Sequence, residues 1–365
     1  MCALAWSGMR HGARRTETEY AWPDALLRPH DDKPLVYLDL NHWITLAKAA
    51  SGHRDGQRHR GALEVLRGAN AVFPLSAAHY MEMAGITDPR QRYDVAAVME
   101  ELTGFRCLMS NPVVIRAEID AAVRRLVPGL KRLHQPIPLI GRGVLQAFGM
   151  QGGLRIKSSK GDVTDDARER FSGGPEAFDA LREDAERQLD RSVLRGPTDD
   201  EAPELQRLGW DPTVARQGAE RRAQQEREQA QRLDAEPRWR RGRLRDIVAA
   251  RYLVTDAEAA LNEVLLGHDL RLTDVAADPE AARRFTDSMP SGDVWISLVT
   301  AAHRNPQTRW TSNDMFDIDA LSVAVPYCDI VVTENHARHV LLTAGVPERL
   351  GTELLGTIEA LAERL

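Results

Sequence analysis

NDMFDIDALSVAVPYCDIVVTENH, residues 313–336, is the stretch on which the reading of this chain turns. It opens with three aspartates, Asp314, Asp317 and Asp319, and passes through an apolar segment. It ends in Ile330, Val331 and Val332, followed by Thr333, Glu334 and Asn335. Helical spacing that gives way to a short β-branched run predicts a helix feeding a buried strand. At about 100° per residue, Ile318, Leu321, Ser322 and Val325 share one face, Asp314 and Asp317 lie along its border, and Asp319 falls on the far side. Ser312 or Asn313 can cap the helix start, which sets Asp317 within the first turn or so, beside packed surface. A strand apolar at every position is expected where both faces of a parallel sheet are covered. Ligands of open α/β sheets bind at the carboxyl ends of strands, so Thr333 to Asn335 mark a candidate site. The competing account is that the aspartates only cap the helix and complement its dipole.

A second strand of this kind lies far upstream. Leu35, Val36, Tyr37 and Leu38 form a compact apolar run that ends on Asp39, with Asn41 two places on, and residues 42–48 have helical spacing. Asp39 therefore falls at a strand-to-helix turn, where an acid either projects into a cleft or caps the helix. Residues 71–75 read as another strand, after which Ser76 starts a helix carrying His79 and Glu82. Glu82 sits among apolar neighbours such as Ala78 and Met81, which calls for a partner or a metal if it is charged; a surface glutamate is the plainer alternative. His79 reads as a hydrogen-bonding or packing residue. Residues 91–103 read as an amphipathic helix and residues 105–109 as a further strand.

The chain has 365 residues, enough for two domains or for one domain with a large insertion. A net charge of -6 argues against a protein that coats polyanions, although arginine is unevenly distributed. Cys2, Cys107 and Cys328 are odd in number and widely spaced, which gives neither a disulfide framework nor a zinc pattern and suits a reducing, cytoplasmic setting. No apolar run reaches the roughly 18 residues needed to cross a bilayer. Residues 1–33 lack periodicity and read as an arm or a poorly ordered tail. Over residues 112–291 the α/β rhythm stops, and a mainly α-helical insertion is expected. Within it, residues 212–236 are nearly free of large apolar side chains and read as a projecting helix or an unpacked linker. Just beyond, Arg238, Arg240, Arg241, Arg243 and Arg245 surround Trp239. Such a segment suits phosphates, with the indole stacking on a base; the alternative is an arginine-rich face satisfied by the chain's own acids. The α/β pattern returns over residues 292–365, where residues 352–355 read as an edge strand. His336 and His339, one turn apart, lack a third ligand at zinc spacing.

Walker, dinucleotide, nucleophile-elbow and HExxH patterns are absent. What remains is a set of acids at strand ends and helix starts: Asp39, Glu82, and the group from Asp314 to Asp319. Gathered without a cation, such carboxylates would have raised pKa values. A hard divalent ion removes that penalty, and an all-oxygen donor set favours Mg²⁺ or Mn²⁺ over zinc.

Three pieces, VYLDLN, FPLSAAHYMEM and FDIDALSVAVPYCDIVVTEN, together resemble the PIN-domain nuclease family. The resemblance covers residues 34–111 and 292–365. It implies an α/β three-layer α/β/α sandwich with a central parallel sheet, here interrupted by the helical insertion. It further implies that acids hold Mg²⁺ or Mn²⁺ and that the reaction cuts phosphodiester bonds, most often in RNA. By motif, Asp39 matches the first acid, Glu82 the second and Asp317 the third, with Asp319 as the alternative. At the fourth position, where many members carry aspartate, this chain has Asn335. The function expected is a metal-dependent endoribonuclease, with toxin, defence and RNA-processing roles all compatible. Thr333, Asn335 and Asn41 would contact water or substrate, and Trp239, Arg240, Arg241 and Arg243 would contribute affinity. The rivals are a nuclease acting on DNA, single-stranded DNA included, and a non-catalytic scaffold for nucleic acid or protein. A homo-oligomer or a regulatory protein partner is compatible with each.

Overall fold

The computed structural model describes residues 20–28, 33–159, 161–198, 200–207, 211 and 213–365. They form a mainly helical α/β protein, 64% helix and 8% strand, with small parallel sheets of two and three strands. The three-stranded sheet is built from Val36–Leu38, Ile330–Val332 and Glu353–Leu355, all parallel, with Ile330–Val332 in the centre. Every residue of the first two strands is buried, as covered parallel strands require. Leu38 lies opposite Val332, and Val332 opposite Leu355. That register brings Asp39 and Thr333, the next residue of each strand, to the same edge.

The central parallel sheet of a PIN-like sandwich, expected from the resemblance, is not seen among the described residues; the parallel pairing is limited to small sheets of two and three strands. Beyond Val36–Leu38 the pairing continues only through single parallel bridges, Leu35 with Val72 and Leu75 with Cys107. The strand expected over residues 71–75 is thus two isolated contacts. Pro74 stands between them and has no N–H to give a ladder. Arg106–Leu108 then pairs antiparallel with Ile140–Arg142. This last strand falls in the segment assigned to the helical insertion, so the α/β part of the chain runs past the expected boundary near residue 112.

Most of the remaining insertion is helical, apart from the short strands Ile137–Pro138, Lys157–Ser158 and Gly161–Asp162, and its helices pack on the same core. One hydrophobic cluster joins Tyr37, Ile115, Ile119, Leu261, Val264, Val294 and Leu321. Residues 213–235 form one continuous helix, Thr213–Ala235, rich in Ala, Arg, Gln and Glu, which favour helix. It buries Ala219, Ala223 and Leu233 rather than projecting. Its one buried acid, Glu226, is paired with Arg251 and with His303 Nε2 at 2.7 Å.

Of the arm or tail expected over residues 1–33, the described part packs on the core through Tyr20, Ala21, Trp22 and Leu26; residues 1–19, Cys2 among them, and 29–32 lie outside the described residues. Leu26–Leu27 pairs parallel with Ile137–Pro138. The Tyr20 hydroxyl donates to Asp293 at 2.6 Å, and Arg28 pairs with Asp329. Cys107 and Cys328 are both buried. Among the described residues no helix is long and apolar enough to cross a membrane.

Candidate functional site

Asp39 is 8% exposed and stands at the N-cap position of Leu40–Ala50, yet its side chain makes no capping hydrogen bond to that helix. Its carboxyl instead accepts from the backbone N–H of Glu334. Burial raises its pKa to about 6, against the lowering effect of the Thr333 hydroxyl and that N–H, and the Glu334 charge adds to the rise. The Thr333 hydroxyl is buried close to this carboxyl, but its oxygen has no hydrogen bond of regular geometry among the described residues.

Glu82 arrives from the helix Ala77–Met83, whose position is set by a buried histidine. The Ser76 N–H donates to His79 Nδ1 at 3.0 Å, and His79 Nε2 bonds the Leu38 carbonyl oxygen at 2.8 Å, one residue before Asp39. With Nδ1 accepting, Nε2 carries the proton. The ring also stacks on Tyr37 at 5.1 Å. Burial lowers its pKa to about 4, so it stays neutral and acts by positioning. Burial raises the Glu82 carboxyl to about 8, with further contributions from Asp317, Asp39 and Glu334.

Asp317 comes from the helix Ser312–Tyr327. The cap of that helix is Thr311 rather than Ser312 or Asn313; its hydroxyl and the Asp314 carboxylate bond each other's backbone N–H groups. Asp314 is thus a capping residue. The Asp317 carboxyl is raised to about 7, first by burial, then by Asp39, Glu334 and Asp314. Its side chain as a whole remains solvent-exposed, so water moderates that rise. Every charged group that shifts Asp39, Glu82 and Asp317 is another carboxylate. The three acids singled out in the sequence therefore share one electrostatic neighbourhood. Among the described residues, no group of three or more His, Cys, Asp or Glu side chains is already disposed to hold a metal ion.

Glu334 lies in the cluster marked from Thr333 to Asn335, but the sequence reading gave it no role. Strand alternation would have paired Thr333 with Asn335 on one side, but the strand ends at Val332 and the helix Asn335–Thr343 begins at once, with Glu334 at its N-cap position. Asn41 donates to Glu334 at 3.1 Å, so it holds an acid of the site rather than standing free for substrate. Asn335 turns aside: its Oδ1 lies against Gly356, where an added Cβ would come within 2.9 Å. His42 was missed as well. Its ring bonds the Thr333 backbone, burial lowers its pKa to about 4, and Nε2 has no partner among the described residues.

Asp319, the alternative third acid, is committed elsewhere. Arg222 clasps it with two hydrogen bonds, of 2.5 and 2.8 Å, and also reaches Asp256 at 2.8 Å. Two positions along a helix rotate a side chain by about 200°, which turns Asp319 toward the inserted helix and leaves Asp317 toward Asp39.

The arginine-rich segment is largely paired within the chain. Arg240 donates to the carbonyls of His303 and Ala230, at 3.0 and 3.2 Å, and to Asp234 at 2.5 Å. Arg245 bonds Asp287 and Asp293, and Arg243 bonds Asp246. Trp239 Nε1 donates to Glu236, which also pairs with Arg238. Apart from exposed Arg241, these cations are satisfied by the chain's own acids and carbonyls. Arg240→Ala is therefore expected to lower stability by about 1–3 kcal/mol through lost charge-assisted hydrogen bonds. RNA affinity in a filter-binding titration should be unchanged, and a large loss of affinity at unchanged melting temperature would restore the phosphate-binding role.

Comparison with protein-family models, with curated proteins and with solved structures gave no match.

Proposed function

We propose that this protein is a metal-dependent endoribonuclease, with residues 34–111 and 292–365 forming a reduced PIN-like α/β/α core. One observation carries the reading: beyond burial, the charges that raise Asp39, Glu82 and Asp317 are carboxylates, Glu334 common to all three, with no basic residue among them. A carboxylate set of this kind suits a hard divalent cation. The chemistry of the donors thus fits Mg²⁺ or Mn²⁺, and Asp39, Glu82 and Asp317 would hold it. Such an ion supplies Lewis-acid activation of water and neutralises charge that develops on a phosphodiester.

The chain's own groups complete the task. Glu334, held by Asn41, supplies the fourth carboxylate that the sequence lacks at Asn335. The buried Thr333 hydroxyl lies close to the Asp39 carboxyl and lowers its pKa, and His42 keeps the Thr333 backbone in place. His79, neutral and doubly bonded, fixes the helix that carries Glu82 against the strand that carries Asp39.

Titration calorimetry tests the reading. Wild-type protein is expected to take up Mn²⁺ with saturable heat, and the variant Asp39→Asn/Glu82→Gln/Asp317→Asn to show none. Equal heats from the two proteins, or no uptake by either, overturn it.

A further inference from the structure

We propose that Trp43 is a positioning residue for Asp39, which it holds, together with His79, through the carbonyl of Leu38. The inference rests on the nuclease reading and adds to it the device that fixes the first acid. Successive residues of a parallel strand turn their backbone groups to opposite neighbours. Asp39 gives its N–H to the Val332 oxygen at 3.0 Å, on the side of the central strand, and Val36 gives its own to Val72 at 2.8 Å, on the other side. Leu38, two residues after Val36, faces that second side. There residues 71–75 make only isolated bridges, so no strand continues past Leu38 to pair with it. Two side chains take its place. Trp43 Nε1 donates to the Leu38 oxygen at 3.1 Å, and His79 Nε2 bonds the same oxygen at 2.8 Å. A carbonyl oxygen accepts two bonds, so its capacity is filled. Both rings are fully buried and meet edge to face, with centroids 6.4 Å apart.

The planarity of the peptide group carries this grip to the acid. The Leu38 oxygen and the Asp39 N–H belong to one rigid plane, which is thus held by Trp43 and His79 at one end and by Val332 at the other. The peptide group on the far side of Asp39 is held as well, since its oxygen accepts from the N–H groups of His42 and Trp43 at 3.0 and 3.4 Å. Trp43 therefore bonds the backbone on both sides of Asp39, by its indole before and by its N–H after. With the backbone fixed, and with no capping bond to its own helix, the Asp39 carboxyl is left directed at the Glu334 N–H and the other acids. The competing account is that Trp43 only fills the core and that Leu38 is a convenient acceptor for an indole N–H, which needs a partner when buried.

The test titrates the full chain with Mn²⁺ by calorimetry and unfolds the same preparations with guanidinium. Trp43→Phe keeps a ring in the core and removes the indole N–H. It is expected to weaken Mn²⁺ binding about tenfold, the size of effect seen when a group that orients a metal ligand is lost. His79→Gln keeps a donor near the Nε2 position and His79→Leu keeps none, so the glutamine variant should bind Mn²⁺ several-fold more tightly than the leucine variant. Leu261→Ala truncates a buried side chain of the inserted helix Glu258–Gly267. It should lower the denaturation midpoint at least as far as Trp43→Phe does and leave Mn²⁺ affinity at the wild-type value, which a general loss of stability cannot reproduce. Wild-type affinity in Trp43→Phe, equal affinities in the two His79 variants, or the same weakening in Leu261→Ala overturns the proposal and leaves the metal reading standing. No uptake of Mn²⁺ by wild type overturns both.

Discussion

Replacing Asp39 or Asp317 with asparagine is expected to lower Mn²⁺-supported cleavage of single-stranded RNA by about 10²- to 10³-fold, corresponding to roughly 3–4 kcal/mol of lost transition-state stabilisation. Asparagine keeps the size of the side chain and removes its charge, so the loss reports the carboxylate itself. Asp319→Asn supplies the contrast. It breaks a half-buried contact with Arg222, and the expected result is a stability loss of about 1–2 kcal/mol with cleavage within about twofold of wild type. Single-turnover assays beside chemical denaturation separate the two behaviours. Cleavage by Asp39→Asn at the wild-type rate would remove Asp39 from the site, and a collapse of activity in Asp319→Asn at unchanged stability would return Asp319 to it.

The second large effect is on stability against pH in metal-free protein. Asp39 titrates near 6 in the folded chain against an ordinary 3.8, and Glu82 near 8 against 4.5. Below the ordinary values both states are protonated and neither group acts. As pH rises through each window, the unfolded chain releases its proton first while the folded chain keeps it. The unfolded state then binds fewer protons, and unfolding free energy falls with rising pH. For Asp39 the loss runs from about pH 4 to 6 and amounts to about 3 kcal/mol; for Glu82 it continues to about pH 8. Asp317 acts in the same direction, weakened by its contact with water. The variant Asp39→Asn/Glu82→Gln should therefore gain stability over wild type by at least about 3 kcal/mol between pH 4 and pH 8. Adding Mn²⁺ at a hundred times its dissociation constant should return about 2.7 kcal/mol to wild type and none to the variant. A difference between the two proteins that stays flat across this range would show that the acids do not meet in a shared, desolvated environment.

Much of the site was legible because it depends on short-range order. An apolar run ending on Asp39 and another ending before Thr333 each indicate a strand with a polar residue at its carboxyl end. The 3.6-residue period also separates Asp317 from Asp319 with no knowledge of what lies opposite. The strand at Glu353–Leu355 follows from the same local signals. The strand expected over residues 71–75 was misread because an apolar run says nothing of whether a neighbour comes close enough along its length to pair. Here Pro74 and the geometry of the flanking strands leave only single bridges.

The amino-acid order by itself thus determined which residues stand at strand ends and helix faces, since those positions follow from the backbone period and the local caps. Which charges are spoken for was decided only by the tertiary structure. Arg240 binds the carbonyl of a residue 63 positions away, Arg222 an aspartate 97 away, and Asn41 a glutamate 293 away. The same long-range packing docked Leu26–Leu27 on Ile137–Pro138 and placed Glu334, rather than Asn335, beside the other acids. A charged side chain has no preferred partner until the chain has folded, because Coulomb attraction at these distances depends on where separate segments come to rest and on how much water they exclude.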